Sequence, residues 1–451
     1  MTPLLAVLLL AQATPQDTAA GRPCRVAVDS MGHFAQTTRA GGDTTSHGGG
    51  GVLAHCDGTA TTISADSFAH YSRLGRLDLI GRVQIRDTSL ALDANFASYF
   101  LRDERLEAHK NVVAVNRRTG SVLRGPNLKY WRAAKGIRDT VEMYATTRPT
   151  VEYRQTTQGD SAATEPYIIV ADRIRLKGDD RMWAGGRTTV DRSDFASRSD
   201  SMLLDQTRGF GVLVGSPRVE GKGRESSGGK GYTLVGTRIE LGLENRDVRL
   251  VKALGHGHAT GADWTLTADT IQLAIAEHML QQTFAWGDST RPKAVSSLNT
   301  ITADSLAIDS PGEVLQETRA FGHARSTAKR DSTTKATDID WIVGDTLTAR
   351  FGQERDSAAN RALTRLQQVI ARGGARALTH HYDSRDTTAG PAINYSRGHQ
   401  IAVAMKQDRI DQVVVSGKSD GVHLEPRPAV VADSVTRAAP PPPAPPPSPL
   451  P

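Results

Sequence analysis

Apolar residues in this chain sit at every second position over short runs, and the alternation restarts many times. Leu77, Leu79, Val83 and Ile85 hold alternate places in one run, and Leu90, Leu92, Ala94 and Phe96 do so in the next. A period of two is the period of a β-strand, whose alternate side chains face one side, so each set is expected on a common face. Residues 358–370 are the exception, because they are rich in good helix formers. Aligned against the repeats described next, their later part, from Arg365 onward, reads as strand, with a helical turn left open before it.

A longer regularity overlies the alternation. The segment Ala171-Asp172-Arg173-Ile174-Arg175-Leu176 returns as Ala268-Asp269-Thr270-Ile271-Gln272-Leu273, as Ala303-Asp304-Ser305-Leu306-Ala307-Ile308, and from Gly344-Asp345 onward. Looser copies surround Asp66, Asp200 and Thr237. Each copy is followed by a run of small residues, such as Ala253-Leu254-Gly255-His256-Gly257-His258-Ala259, Ala320-Phe321-Gly322-His323-Ala324 and Ala371-Arg372-Gly373-Gly374-Ala375. Asp269 and Asp304 are 35 residues apart, and Asp304 and Asp345 are 41 apart. Two strands per unit are too few for a propeller blade. A unit that cannot bury its own face must stack on its neighbours, which predicts an elongated all-β sheet, open or folded over. The small residues mean close approach of another backbone or a cavity. One aspartate per unit does not make a calcium loop, which gathers several oxygen ligands in one turn. Bonds to nearby backbone N–H groups, or inward charges that block strand slippage, explain the aspartates better.

Composition agrees with many short strands and thin cores: 38% of the 451 residues are apolar, 5% are aromatic and 42 are glycines. The net charge of +6 is spread along the chain and not gathered into basic blocks, so nucleic acid is not an expected partner. Lipid phosphates, an anionic membrane surface or solubility alone fit the same charge. The apolar run Leu4 to Leu10, followed by Ala11-Gln12-Ala13, reads as a short secretory signal over residues 1–20, although its start lacks Lys or Arg. No other stretch has the roughly 18 apolar residues of a spanning helix. Cys24 and Cys56 are the only cysteines, and in an exported protein they are candidates for a disulfide. A metal pair with His47 or His55 is the weaker alternative, because the ligand spacing is irregular. Residues 425–451 end in a proline run that cannot build a ladder, so they are expected as a disordered or polyproline II tail, a spacer or docking peptide at most.

The histidine clusters, His256 with His258 and His380 with His381, have no carboxylate at a triad or metalloprotease spacing. With no nucleophile elbow and no phosphate-binding loop, the sequence offers no catalytic set, no cofactor and no metal site. It reads as a binding protein, not an enzyme.

Residues 57–150 resemble the OstA-like family. The matching residues run from Ile63-Ser64-Ala65-Asp66 through Arg76-Leu77-Asp78-Leu79-Ile80-Gly81-Arg82-Val83 and Arg105-Leu106-Glu107-Ala108 to Gly120-Ser121-Val122-Leu123-Arg124-Gly125-Pro126. The resemblance implies an elongated, stacked β-jellyroll whose sheets splay into an apolar groove for the acyl chains of lipopolysaccharide or a similar glycolipid crossing the periplasm. It also implies partners: other lipopolysaccharide-transport proteins joined by edge-strand stacking, and the barrel translocon of the outer membrane, with which the chain would associate. This chain lacks the pattern of such a barrel itself, which needs repeated ten-residue strands with aromatic girdles. The reading divides it into an OstA-like jellyroll at 21–165 and a second repeat region at 166–424. Leu77, Leu79, Val83, Ile85, Leu90, Leu92 and Phe96 are the candidate groove residues. Two alternatives stay open: these residues are simply the core of a sandwich, or the chain is a β-solenoid scaffold of the envelope without lipid cargo.

Overall fold

The computed structural model describes residues 24–154, 165–223, 231–244, 247–261, 264–296, 299–328, 339–356, 361–381, 391–406 and 409–425. The expected signal peptide and nearly all of the proline-rich tail therefore lie outside the described residues. So do residues 358–360, where the helical turn was left open; the rest of that run belongs to the strand Arg361–His381. Among the described residues, 30 strands join one antiparallel sheet, with a single 3-10 turn at Pro311–Glu313 and no α-helix. The fold is all-β, as the alternation predicts.

The sheet is folded along its middle. The strand Arg76–Arg86 pairs with Thr62–Tyr71 in two stretches, Tyr71↔Arg76 to Ser67↔Ile80 and then Ser64↔Gln84 to Thr62↔Arg86, with a break in register between them. The same break recurs from strand to strand. Where it is complete, a long strand is cut in two: Met279–Trp286 and Lys293–Ser296 both pair with Trp264–Ala276. Every long strand thus passes from one leaf of the sheet to the other across a crease. We call the leaf holding Ile63, Ile85 and Leu92 leaf A, and the leaf holding Phe68, Leu79 and Ala97 leaf B. Their facing surfaces form the core.

The repeat in the sequence is the geometry of the crease. On one kind of strand the inward positions flanking the crease are three apart: Ala171 and Ile174, Ala268 and Ile271, Ala303 and Leu306, all buried. On the next strand they are four apart, as in Ala320 and Ala324 or Ala371 and Ala375. The extra residue is a β-bulge, which bends its strand. Here two successive bulge residues take positive φ, as in Gly186–Arg187 (80° and 47°) and Gly322–His323 (73° and 45°). Glycine is required at the first of them twice over. It adopts positive φ without steric cost, and a Cβ on Gly186 or Gly322 would collide with the carboxylate of Asp172 or Asp304.

Those carboxylates explain the recurring aspartate. The Asp172 N–H donates to the Gly186 carbonyl at 2.9 Å, and the Asp304 N–H to that of Gly322 at 2.9 Å. The side chains then reach across the bulge. Arg187 Nη2 donates to Asp172 Oδ1 at 2.8 Å, Arg82 Nε to Asp66 Oδ1 at 2.7 Å, and His323 Nδ1 lies 2.9 Å from Asp304 Oδ2. Asp269 accepts the amides of Ser289 at 2.9 Å and Thr290 at 3.1 Å. These aspartates stand on the outside of the crease. The alternative of inward charges blocking strand slippage is therefore replaced by a brace on the backbone of the next strand.

Leaf B also settles the columns of small residues. Read strand by strand, its inward row runs Ile239, Ala253, Ile271, Ala285, Leu306, Ala320, Leu347, Ala371, Ile401. Large and small side chains alternate, and nearly all are close to fully buried. The volume absent at each alanine is taken by the isoleucine or leucine on either side, the packing of a filled interior. The boundary expected at 165/166 falls between paired strands: Val151 lies opposite Ile169, and Ile169 opposite Val190, so the ladder runs on through it.

Two outcomes follow from the crease. Gly322→Val should destabilise the protein by about 2 kcal/mol or more, since a β-branched residue is strained at positive φ and here also displaces Asp304; urea unfolding checks this. Backbone N–H donors from Thr290 and then Ser289 hold the Asp269 carboxyl at about 2, below its ordinary 3.8. Between those values the unfolded chain binds more protons than the folded one. The stabilisation from this group is therefore complete above pH ~4 and is lost as pH falls through ~2. Carboxyl NMR titration should find Asp269 titrating below the other exposed aspartates, and Ser289→Pro should move it back up.

Candidate functional site

The free margins of the leaves are hairpin tips, and between them the interior opens. On leaf A the tips fall at residues 57–61, 87–89 and 117–121; on leaf B they fall at 101–104, 132–141 and 178–180. A cavity of about 810 Å³ lies behind them. Leu90, Leu123 and Val151 wall it from leaf A, and Tyr130, Met143 and Met182 from leaf B. Its rim is polar and charge-balanced, with Arg118, Arg132 and Arg181 beside Asp87, Asp179 and Asp180. A pocket of about 30 Å³, lined by Leu79, Ile85, Tyr99 and Leu106, adjoins it and shares Leu90, Tyr130 and Arg132 with it. A hollow with aliphatic side chains on both walls and polar groups over nearly half of its lining suits an amphipathic ligand.

Polar contacts tie the leaves together across this margin. Cys24 and Cys56 form a disulfide at the leaf A tip. The Cys24 N–H donates to Glu104 Oε1 at 2.7 Å, joining that tip to leaf B. Glu104 is fully buried and also accepts from the Tyr99 hydroxyl at 2.5 Å and from Arg132 Nη1 at 3.3 Å. Burial, and then the bond to Glu104, push the Tyr99 hydroxyl well above the usual phenol range. A buried carboxylate supplied with three donors is a stable knot, whereas one left unpaired would cost several kcal/mol. Further along, Asn116 Nδ2 of leaf A donates to Asp179 Oδ1 of leaf B at 2.8 Å, and Arg118 pairs with the same carboxylate. Beyond that, His278 Nδ1 of leaf B lies 3.1 Å from Asp194 Oδ2 of leaf A. Arg192 pairs with Asp194 and stacks over the Tyr167 ring at 4.2 Å, and burial pushes the Tyr167 hydroxyl up to about 12.

The candidate groove residues divide. Leu77, Leu79, Val83, Ile85, Leu90 and Leu92 are all buried between the leaves. Leu79, Ile85 and Leu90 border open space, whereas Leu77, Val83 and Leu92 are packed core. Phe96 is a correction. The bulge between Asp93 and Phe96 shifts the phase, so Ala97 follows Ala94 inward. Phe96 lies opposite the exposed Ile80 and tilts against His109 on the outer face. The larger part of the cavity wall, from Leu123 to Met182, was not singled out from the sequence. Leu123 and Tyr130 stand seven residues apart across a break in register, so one period of two does not mark both, and nothing local marks Met143 or Met182, or the partners Glu104 and Arg132. Among the described residues, no three His, Cys, Asp or Glu side chains gather as metal ligands, and no helix is long and apolar enough to cross a membrane.

No protein-family model matches the sequence, and neither does any curated protein. Among solved structures, the chain is similar to LptH of Pseudomonas aeruginosa, described as the LptA homologous periplasmic component of the conserved lipopolysaccharide transport device. The two are 17% identical over 33% of this chain and 97% of that one, with a TM-score of 0.23.

Replacing both cysteines by serine should cost about 4 kcal/mol, the scale for a disulfide closing a loop of this length. Glu104→Leu should cost at least as much, because Arg132 and Tyr99 lose their buried partner. Thermal unfolding under oxidising conditions reads both changes.

Proposed function

We propose that this protein is a periplasmic carrier that takes up acyl chains of lipopolysaccharide or a related glycolipid between its leaves and passes them toward the outer membrane. The observation that carries this reading is the cavity of about 810 Å³ that opens at the leaf margins, with an aliphatic wall of Leu90, Leu123, Val151, Met143 and Met182 between the leaves and polar groups toward its mouth. An acyl chain needs no polar partner there, since burying each methylene contributes about 0.8 kcal/mol. The Cys24–Cys56 disulfide fits an oxidising compartment, and the OstA-like pattern at 57–150 points the same way. Partners in the transport chain would join at the ends of the sheet. Among the described residues, the first strands, Val26–Ser30 and His33–Thr38, pair only with Thr44–Cys56, and the last, Arg409–Ser416 and Asp420–Leu424, pair only with Ala392–Lys406. Each therefore presents an edge that another strand can extend, the barrel translocon being the expected acceptor at one end.

A second reading, an envelope scaffold without cargo, is favoured by the filled interior of leaf B from Ile239 to Ile401. Photo-crosslinking in cells separates the two. A photoreactive residue at Leu90 or Leu123 should capture lipopolysaccharide or another glycolipid, while one at the outward Phe96 should not. A carrier reading does not survive if Leu90 and Leu123 give no lipid adduct while the protein is folded and exported.

A further inference from the structure

Positive charge is spread along the sequence, but the fold gathers part of it on one surface. On leaf A, just past the crease, Thr267 lies opposite Lys293, Lys293 opposite Thr302, and Thr302 opposite Arg325. The line continues through Val343 to Arg376 and Arg397. Residues opposite one another share a face, so these side chains form one row on the outer side of the leaf. Lys293, Arg325, Arg376 and Arg397 are all exposed. The first three stand on every second strand of the ladder, about 10 Å apart at a strand spacing of ~4.8 Å. In the next row from the crease, Trp341, Leu378 and Tyr395 lie side by side. Arg325 stacks over the Trp341 ring at 5.2 Å, and Trp341 meets Tyr395 at 6.4 Å, edge to face. Val422, opposite Tyr395, and Leu424 beside it are each more than half exposed and extend this apolar row to the last strand.

Among the described residues, neither row holds an aspartate or glutamate until Asp420, which pairs with Arg397 at 2.6 Å. Lys293, Arg325 and Arg376 are left without a carboxylate partner there. The outer face of leaf B differs, because its cations are matched: Arg238 with Glu240 at 2.9 Å, Arg319 with Asp309 at 2.6 Å and Arg350 with Glu317 at 3.1 Å. Of the crease aspartates that border the cationic row, Asp304 is met by His323 and Arg291, and Asp269 by two backbone amides. Asp345 stands over Gly373.

We infer that this outer face of leaf A docks on an anionic lipid bilayer, its cations taking lipid phosphates and Trp341, Leu378 and Tyr395 resting among the headgroups. A face of unbalanced positive charge is complementary to an anionic surface. The planar fork of arginine matches phosphate oxygens, and Trp and Tyr favour the membrane–water interface. An acidic polysaccharide would engage the cations but leave the apolar row in water. The docking is peripheral and uses nothing of the cavity.

The test is flotation of the full-length protein with mixed phosphatidylethanolamine–phosphatidylglycerol vesicles, against phosphatidylcholine vesicles, at low and at high salt. The expected result is binding to the anionic vesicles that weakens with salt. Each cation near an anionic surface strengthens binding about fivefold, so Lys293→Gln/Arg325→Gln/Arg376→Gln should lose about a hundredfold. Arg238→Gln/Lys252→Gln/Arg350→Gln removes the same charge from leaf B and should bind as the parent does. Trp341→Ser should weaken binding and reduce quenching of tryptophan fluorescence by brominated lipids. Circular dichroism checks that every variant keeps its fold. The proposal is overturned if the parent does not float with anionic vesicles, or if the leaf A and leaf B triple variants behave alike. It is also overturned if the parent binds the acidic polysaccharide alginate in preference to the vesicles.

Discussion

Everything in this fold depends on the crease. A strand that ran straight through would bury one face against nothing, because the described residues include no helix layer to cover it. Instead each strand bends once, every second one at a bulge with two residues of positive φ that the preceding strand braces. In the clearest copies the brace is an aspartate whose N–H bonds to the bulge glycine carbonyl and whose carboxylate reaches its arginine, its histidine or a nearby amide. The bend turns one long sheet into its own partner: the apolar face of leaf A meets that of leaf B, and burial of both drives the folding. The brace costs little in the core, since its charges stay on the outer side.

The crease also sets what the interior holds. Where large and small residues alternate strictly across leaf B, the leaves close on each other and leave no room. Nearer the N-terminus that alternation is imperfect. Ala97 faces Ala108 in the same row, small against small, and it is the hairpin tips that hold the margins. The cavity sits there, between tips knotted by Glu104 and bridged by Asp179. A buried knot at one end and a half-buried bridge beside the opening give the margin two different strengths: the first fixes the leaves, and the second, partly screened by solvent, is cheaper to break.

Much of this was legible in the order of residues. The alternation specified strands, and the recurring Ala-Asp-x-Ile and Ala-x-Gly-x-Ala signatures specified a two-strand unit, because inward spacings of three and four residues around a bend are local properties of the backbone. Ala94 and Ala97 keep the same spacing of three, which turns Phe96 outward, whereas a period of two running straight through the break in register puts it on the inner face. The alternation likewise identified which leucines, isoleucines and valines of 77–92 are buried, since burial on one face of a strand follows from its own sequence.

What the tertiary structure alone decided is which buried residues stand beside empty space. Leu90 and Leu92 have the same pattern and the same neighbours in sequence, yet only Leu90 lines the cavity. The difference comes from leaf B, which approaches from strands dozens of residues away. Cross-margin partners such as Cys24 with Glu104, 80 residues apart, and Asn116 with Asp179, 63 apart, are likewise invisible in the chain. Strand periodicity is written residue by residue, but the fit between two leaves depends on how each curves, and that is settled only when they meet.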